Sequence, residues 1–219
     1  MPPSALVIFD FDGTLADTLL DIALTMNEVL AASGYPGHPV EDYRVFVGDG
    51  VRRLSARVLP DGEEHRADEM VQSFRRLYPE RMYDHTGLFP GVPGMLDALV
   101  EGGARIAILS NKPHHFTVEM CGRLLGRWPF DPVWGYEEGR HAPKPDPEAA
   151  LAIAGDAGVE LERCFYVGDM PVDVMTARAA GMHGVMVPWG FRGPDELLAA
   201  GAEHVLADAE ELPRRVFGA

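Results

Sequence analysis

Short apolar runs that stop abruptly at polar residues alternate along most of this chain with stretches of helical periodicity. The first run, Ala5 to Phe9, ends in Asp10, Asp12 and Gly13. Ala104 to Leu109 is followed by Ser110 and Asn111, and Cys164 to Val167 by Gly168 and Asp169. A continuous apolar run bounded by turn residues reads as a strand buried on both faces, the signature of a parallel sheet. Gly184 to Val187 and His204 to Leu206 read as two further strands. Helical patterns lie between them at Val92 to Glu101, His114 to Leu125, Pro147 to Ala157 and Val172 to Ala180, the last with Gly181 as its C-cap. This alternation predicts an α/β fold, a doubly wound parallel sheet with right-handed crossovers. Such sheets bind ligands at the carboxyl ends of their strands, where the three polar stops fall.

One segment breaks the alternation. From about Thr18 to Asp84 the apolar residues keep helical spacing (Leu19, Ile22, Ala23, Met26, Val29, Leu30, then Val51, Leu54, Val58) with almost no strand signal. It reads as an all-helical insertion that leaves the core after the first strand's loop and returns near His85 to Pro90. The expected division is a Rossmann-like core of residues 1–16 and 86–219 and an inserted helical domain of 17–85. A length of 219 residues suits one core plus a small insertion, not two large domains.

Composition narrows the function. Apolar residues at 47% and charged residues at 24% exclude disordered and fibrous classes. A net charge of -15 argues against nucleic acid or an anionic membrane surface as partner, so the site of an anionic ligand must be locally positive. No apolar stretch approaches a membrane span, and Met1 to Asp10 lacks the charged start of a signal peptide. Cys121 and Cys164 show neither metal-ligand spacing nor a disulfide framework, which fits a reducing cytoplasm. Of 19 basic residues only Lys112 and Lys144 are lysine, a bias against which a retained ammonium is notable.

The polar stops carry the candidate chemistry. In Asp10-Phe11-Asp12-Gly13-Thr14-Leu15 the chain must curl after Asp10 to point both carboxylates into one crevice. One carboxylate can then attack phosphorus and bind a hard cation while the other exchanges a proton. A solvated turn would use the same residue types. Ser110-Asn111-Lys112-Pro113 precedes a helix whose start, with a hydroxyl, suits phosphoryl oxygens, although Ser110 or Asn111 would equally cap that helix. Lys144 stands between Pro143 and Pro145, a rigid mounting for charge neutralisation. Lys112 reads as a surface residue, and the adjacent His114 and His115 diverge too far on a helix to share an ion. Asp169 can add a metal ligand; Asp173, in a first helical turn, would be stabilised there without any function. Trp189 and Phe191 read as packing beneath a loop near the sheet's active edge.

These four elements, in this order, resemble the haloacid dehalogenase-like hydrolases over nearly the whole chain. The resemblance implies that Asp10 is the nucleophile and Asp12 the general acid and base. It implies Mg²⁺ held by Asp10, the main-chain carbonyl of Asp12 and Asp169, with Asp173 in support, and a phosphoryl group held by Ser110 and Lys144. Asp12 would start protonated, favoured by crowding from another carboxylate. The dehalogenating members lack the second aspartate, so its presence favours phosphate chemistry. The insertion resembles the family's helical caps, which choose the substrate. Phe46 to Leu54, Ser110 to Pro113 and Lys144 to Pro147 are similar to phosphoglycolate phosphatases. Gly48, Gly50 and Arg52, with Asn111, are then candidate substrate contacts, the arginine for a carboxylate, unless the glycines form a plain turn and the arginine is solvated. The expectation is a cytoplasmic, Mg²⁺-dependent phosphatase of a small phosphorylated metabolite, monomeric or homodimeric. A sugar phosphomutase of the same superfamily and a non-enzymatic phospho-acceptor or binding module stay as alternatives, though phospho-acceptor receiver domains are much shorter and lack a helical insertion.

Overall fold

A computed structural model of the protein describes residues 5–218. Met1 to Ser4 and Ala219, the ends of the expected core, lie outside the described residues. The strands are β1 (Leu6–Phe9), β2 (Ala16–Asp17), β3 (Gly87–Leu88), β4 (Arg105–Pro113), β5 (Phe130–Tyr136), β6 (Cys164–Gly168), β7 (His183–Met186) and β8 (His204–Val205). The helices are α1 (Leu19–Ala32), α2 (Tyr43–Phe46), α3 (Val51–Val58), α4 (Ala67–Arg81), α5 (Val92–Glu101), α6 (His114–Leu124), α7 (Glu148–Ala157), α8 (Pro171–Ala180), α9 (Pro194–Ala199) and α10 (Glu211–Phe217).

Six strands form one parallel sheet in the order β5-β4-β1-β6-β7-β8. β1 lies inside it, with Leu6 opposite both Arg105 and Cys164, which is why its sequence is apolar without interruption. Successive side chains go to opposite faces. Val7 and Phe9 join a core with Leu96 and Leu99 of α5 and Phe116 and Met120 of α6, whereas Leu6 and Ile8 pack with Ala149, Ala150 and Ile153 of α7 and Ala177 of α8. The sheet is therefore covered by helices on both sides, an α/β fold as the alternation predicted.

β5 was not foreseen. It holds Pro132 and Gly135, which count against a strand in a sequence pattern but are tolerated at a sheet edge, where β5 lies. Pairing with it also carries β4 beyond Leu109 to Pro113, across an irregular register, so Ser110, Asn111 and Lys112 ride on the distorted end of a strand.

Helices α1 to α4 all fall between β2 and β3, which pair antiparallel as a two-stranded ribbon, Ala16 with Leu88 and Asp17 with Gly87. Leu19, Ile22, Ala23, Met26, Val29 and Leu30 of α1 are buried, the stripe their spacing predicted. Beside the ribbon, the buried Asp21 carboxylate accepts hydrogen bonds from the main-chain N–H groups of His85 (3.0 Å) and Thr86 (2.9 Å) and from the Thr86 hydroxyl (2.7 Å). It also lies 2.8 Å from the His85 Nδ1 atom. Burial pushes this carboxyl up, but the hydrogen bonds from Thr86 and His85 outweigh it and hold its pKa below 3.8. The latch thus adds stability above about pH 4 and loses it as pH falls through the depressed value. Asp21→Asn is expected to lower stability by about 1–3 kcal/mol at pH 7. Urea unfolding midpoints checked at about pH 7 and pH 3.5 should show that gap narrowing in acid.

Candidate active site

β1, β4 and β6 end side by side, and each delivers one part of the site. The Asp10 N–H donates to the Val167 carbonyl at 2.9 Å, so the first aspartate is still held by the sheet as the chain begins to turn. Its Oδ1 accepts the Phe11 N–H at 2.7 Å and its Oδ2 lies 3.0 Å from Lys144 Nζ. The turn continues through Gly13 at φ 83°, a conformation in which a side chain is strained; a Cβ there would also run into the Asp169 carboxylate.

The buried Lys144 ammonium joins Asp10 to Asp173 Oδ1 at 2.7 Å. The other Asp173 oxygen accepts the N–H groups of Asp169 (3.2 Å) and Met170 (3.1 Å). Asp173 therefore does more than sit favourably in a helical turn, because it fixes Lys144 to the start of α8. Asp169 accepts the Thr14 hydroxyl at 2.7 Å and the Phe191 N–H at 2.8 Å. Trp189 Nε1 donates to the Thr14 carbonyl at 3.0 Å, so the loop after β7 braces the site as well as packing beneath it.

Oxygens of Asp10, Asp169 and Asp173 all lie within 4.8 Å of one another. Three carboxyl groups share one ammonium in a buried place, so the acidic groups outnumber the cation. Burial raises the Asp10 carboxyl to about 6 even though Lys144 pulls it down, with Asp173 and Asp12 pushing it up. Asp169 is raised well above the carboxylate range by burial, Asp173 and Asp10. An all-oxygen donor set with this excess of acidic groups fits a hard divalent cation.

Asp12 differs from expectation. Its Oδ1 accepts the Thr18 hydroxyl at 2.7 Å and lies 3.1 Å from Lys112 Nζ, so a cation is set against it in addition to the Asp10 carboxylate that the motif places nearby. Lys112 is correspondingly not a surface residue. Its side chain is 4% exposed and its ammonium also donates to the Tyr78 hydroxyl of α4 at 2.9 Å.

Asp10, Asp12, Ser110, Asn111, Lys112, Gly48 and Gly50 border one cavity of about 60 Å³, which is otherwise lined by mostly apolar residues that include Leu54, Phe74 and Phe191. Asn111 lines it without a free donor group. Its Nδ2 donates to the carbonyls of Gly48 and Lys144, both at 3.2 Å, and its Oδ1 accepts the Lys144 N–H at 2.9 Å. It ties the helical insertion, β4 and the Lys144 loop together.

Arg52 is not brought to the cavity. α3 turns Leu54, Ser55 and Val58 inward, which sends Arg52 outward to pair with Asp68 at 2.8 Å, the arginine side chain being 74% exposed. Asp49 similarly engages Arg53 and Arg57. His115 is exposed, while His114 is half-buried and accepts the Gly135 N–H. Tyr78, Thr14 and Thr18 carry no assignment in the sequence, and of these only Thr14, inside the first motif, has a local signal; Phe191, read as packing beneath a loop, also donates its N–H to Asp169.

Comparison with known proteins follows the same lines. A family model described as haloacid dehalogenase-like hydrolase matches residues 7–187. The chain is 34% identical over 214 residues to a plasmid-encoded phosphoglycolate phosphatase of Cupriavidus necator, covering 96% of this chain and 92% of that protein. It is also 34% identical to phosphoglycolate phosphatase 1 of Pseudomonas aeruginosa over 85% of this chain and 70% of that one. A solved structure from Lactobacillus delbrueckii subsp. bulgaricus, provisionally named a phosphoglycolate phosphatase, superposes with a TM-score of 0.90 at 26% identity and covers 98% of each chain.

Proposed function

The chain belongs to the haloacid dehalogenase-like hydrolases and is a phosphatase of that family, and on this footing we propose that it hydrolyses a small phosphate monoester of the phosphoglycolate type, with Mg²⁺ and through an aspartyl phosphate on Asp10. The observation that carries the reading is the convergence of Asp10, Lys144 and Asp173 in one buried ion-pair chain, with Asp12 and Ser110 bordering the cavity that Asp10 lines.

Asp10 presents Oδ2 beside the Lys144 ammonium, and its Oδ1 is restrained by the Phe11 N–H, so the carboxylate is fixed in orientation before substrate arrives. The Asp10 oxygen bonds to phosphorus as the ester oxygen departs, and Asp12 gives its proton to that oxygen. Asp12 then takes a proton from water, whose oxygen bonds to phosphorus as the acyl phosphate breaks and Asp10 is restored. Ser110 and Lys144 hold the phosphoryl oxygens. Asp10, Asp169 and the Asp12 carbonyl, with Asp173 in support, would hold Mg²⁺, which when bound would supply charge neutralisation where two anions meet. Thr18 and Lys112 aim the Asp12 side chain, and Asn111 braces the Lys144 loop.

Residues 17–85 act as the cap. A cavity of about 60 Å³ is several times the ~10–15 Å³ that a single water needs, which suits a leaving group of a few heavy atoms. Its walls exclude bulk water from the reactive acyl phosphate. The protein is expected to work in the cytoplasm as a monomer or homodimer.

Phosphate release from 2-phosphoglycolate, sugar phosphates, nucleotides and pyrophosphate, with Mg²⁺ or chelator, tests the reading. Mg²⁺-dependent release with the highest kcat/KM on 2-phosphoglycolate is expected. Folded, Mg²⁺-supplied protein that releases phosphate from none of them would reject it, and isomerised sugar phosphate without release would point to a mutase.

A further inference from the structure

We propose that the Lys112 ammonium and the Tyr78 hydroxyl form the subsite for a second anionic group on the substrate, the carboxylate of a phosphorylated 2-hydroxy acid. The proposal rests on the phosphatase reading above and names the part of the site that selects the ester.

Lys112 is the only cation among the described residues that line the cavity. The arginines of α3 that would compete for this role are held elsewhere by Asp68 and Asp49. An ammonium has three donors, and among the described residues Nζ meets Tyr78 (2.9 Å) and both oxygens of Asp12, at 3.1 and 3.3 Å. The longer contact, to Asp12 Oδ2, is the one a ligand oxygen would replace while Oδ1 keeps the pair. The Tyr78 hydroxyl accepts from Lys112 and, among the described residues, has for its own proton only the Met120 sulfur, at 3.9 Å, which a carboxylate oxygen would readily replace.

Among the described residues the lining is otherwise largely apolar, with Ile22, Val47, Val51, Leu54, Phe74 and Phe116, so a carboxylate set against these without Lys112 and Tyr78 would lack a charged partner. Asp12 pairs with Lys112 and, on the proposed mechanism, meets the leaving oxygen, which sets the subsite a few atoms beyond that oxygen. That is the reach of a glycolate. Tyr78 comes from the insertion and Lys112 from the end of β4, so an anion bound to both would also hold the two together.

The test compares 2-phosphoglycolate with ethyl phosphate, which has a methyl group where the first has its carboxylate, in the parent protein, Lys112→Met and Tyr78→Phe. The parent is expected to prefer 2-phosphoglycolate. Lys112→Met should reduce the ratio of the two kcat/KM values on the order of 100-fold, chiefly through KM for 2-phosphoglycolate, and Tyr78→Phe about 5-fold. Lys112→Arg should recover part of the preference. Tyr78→Phe, which removes one hydroxyl from a retained ring, decides the matter if Lys112→Met does not fold. An equal loss on both esters, with their ratio unchanged in each variant, would overturn the subsite and leave Lys112 a positioning residue for Asp12. A parent that hydrolyses both without preference also overturns it while the phosphatase reading stands; a parent that hydrolyses neither removes both.

Discussion

Asp10→Asn is expected to lower turnover by on the order of 10⁴-fold or more while making the metal-free protein harder to unfold. The loss of activity follows from removing the proposed nucleophile, since an amide oxygen is too weak a base to attack phosphorus. The gain in stability follows from electrostatics. Asp10, Asp169 and Asp173 crowd a buried space with one ammonium between them, and the variant removes one of the carboxyl groups that compete for it. Folded, the metal-free protein keeps a proton on Asp10 up to about pH 6, where the unfolded chain has lost it near 3.8. The stability tied to that proton is complete below about 3.8 and falls as pH rises through about 6. The difference between variant and parent should therefore open across that window and reach about 1–3 kcal/mol at pH 7.5. For a chain of this size each kcal/mol is worth ~2–4 °C in thermal midpoint. Mg²⁺ should stabilise the parent more than the variant, because a ligand that binds only the folded form adds stability in proportion to its affinity. A variant less stable than the parent above pH 6 would contradict the crowding account.

Lys144→Met should fail in the opposite direction on stability. Burial alone would lower the Lys144 ammonium, but Asp10 and Asp173 hold it well above its ordinary value, so it is charged throughout the working range. Its loss leaves two buried carboxylates facing each other without a cation. Breaking a buried pair from one side typically costs 3–5 kcal/mol, and a loss of about that size is expected in urea unfolding at pH 7.5. Turnover should fall about 10³-fold, because among the described residues no other cation lies against Asp10 Oδ2 to hold a transferring phosphoryl group. Lys144→Arg is expected to restore charge without activity, since a forked guanidinium cannot occupy the place of a point charge pinned between two carboxylates 2.7 and 3.0 Å away. Stability equal to the parent, or full activity in the arginine variant, would contradict the role assigned to Lys144.

The sheet's centre was readable because its physics is local. β1 and β6 are buried on both faces and so must be apolar throughout, and their polar stops announce where the site begins. β5 was hidden by Pro132 and Gly135, whose edge position depends on how the whole sheet is assembled. Within the site, Asp10 and Lys144 stood out through motif and mounting, but Lys112 and Tyr78 meet across 34 residues and Lys112 and Asp12 across 100. No local pattern encodes such contacts. The scarcity of lysine was the one hint for Lys112, and the exposed character usual for the residue type outweighed it. Arg52 shows the converse. Helical spacing already placed Val51, Leu54 and Val58 on one face, and that spacing rotates residue 52 away from it, so the glycine-flanked helix start was the weaker guide.

The covalent step is the centre of this account and can be observed directly. Protein turning over 2-phosphoglycolate with Mg²⁺ is quenched in acid, reduced with borohydride and digested, and the peptide containing residues 10 to 15 is analysed by mass spectrometry. An aspartyl phosphate on Asp10 predicts homoserine in place of that aspartate alone, in proportion to the intermediate present at quenching, and none with chelator. Steady phosphate release with an unmodified Asp10 peptide, together with Asp10→Asn protein that still turns over, would contradict the account and require direct attack of water on the ester.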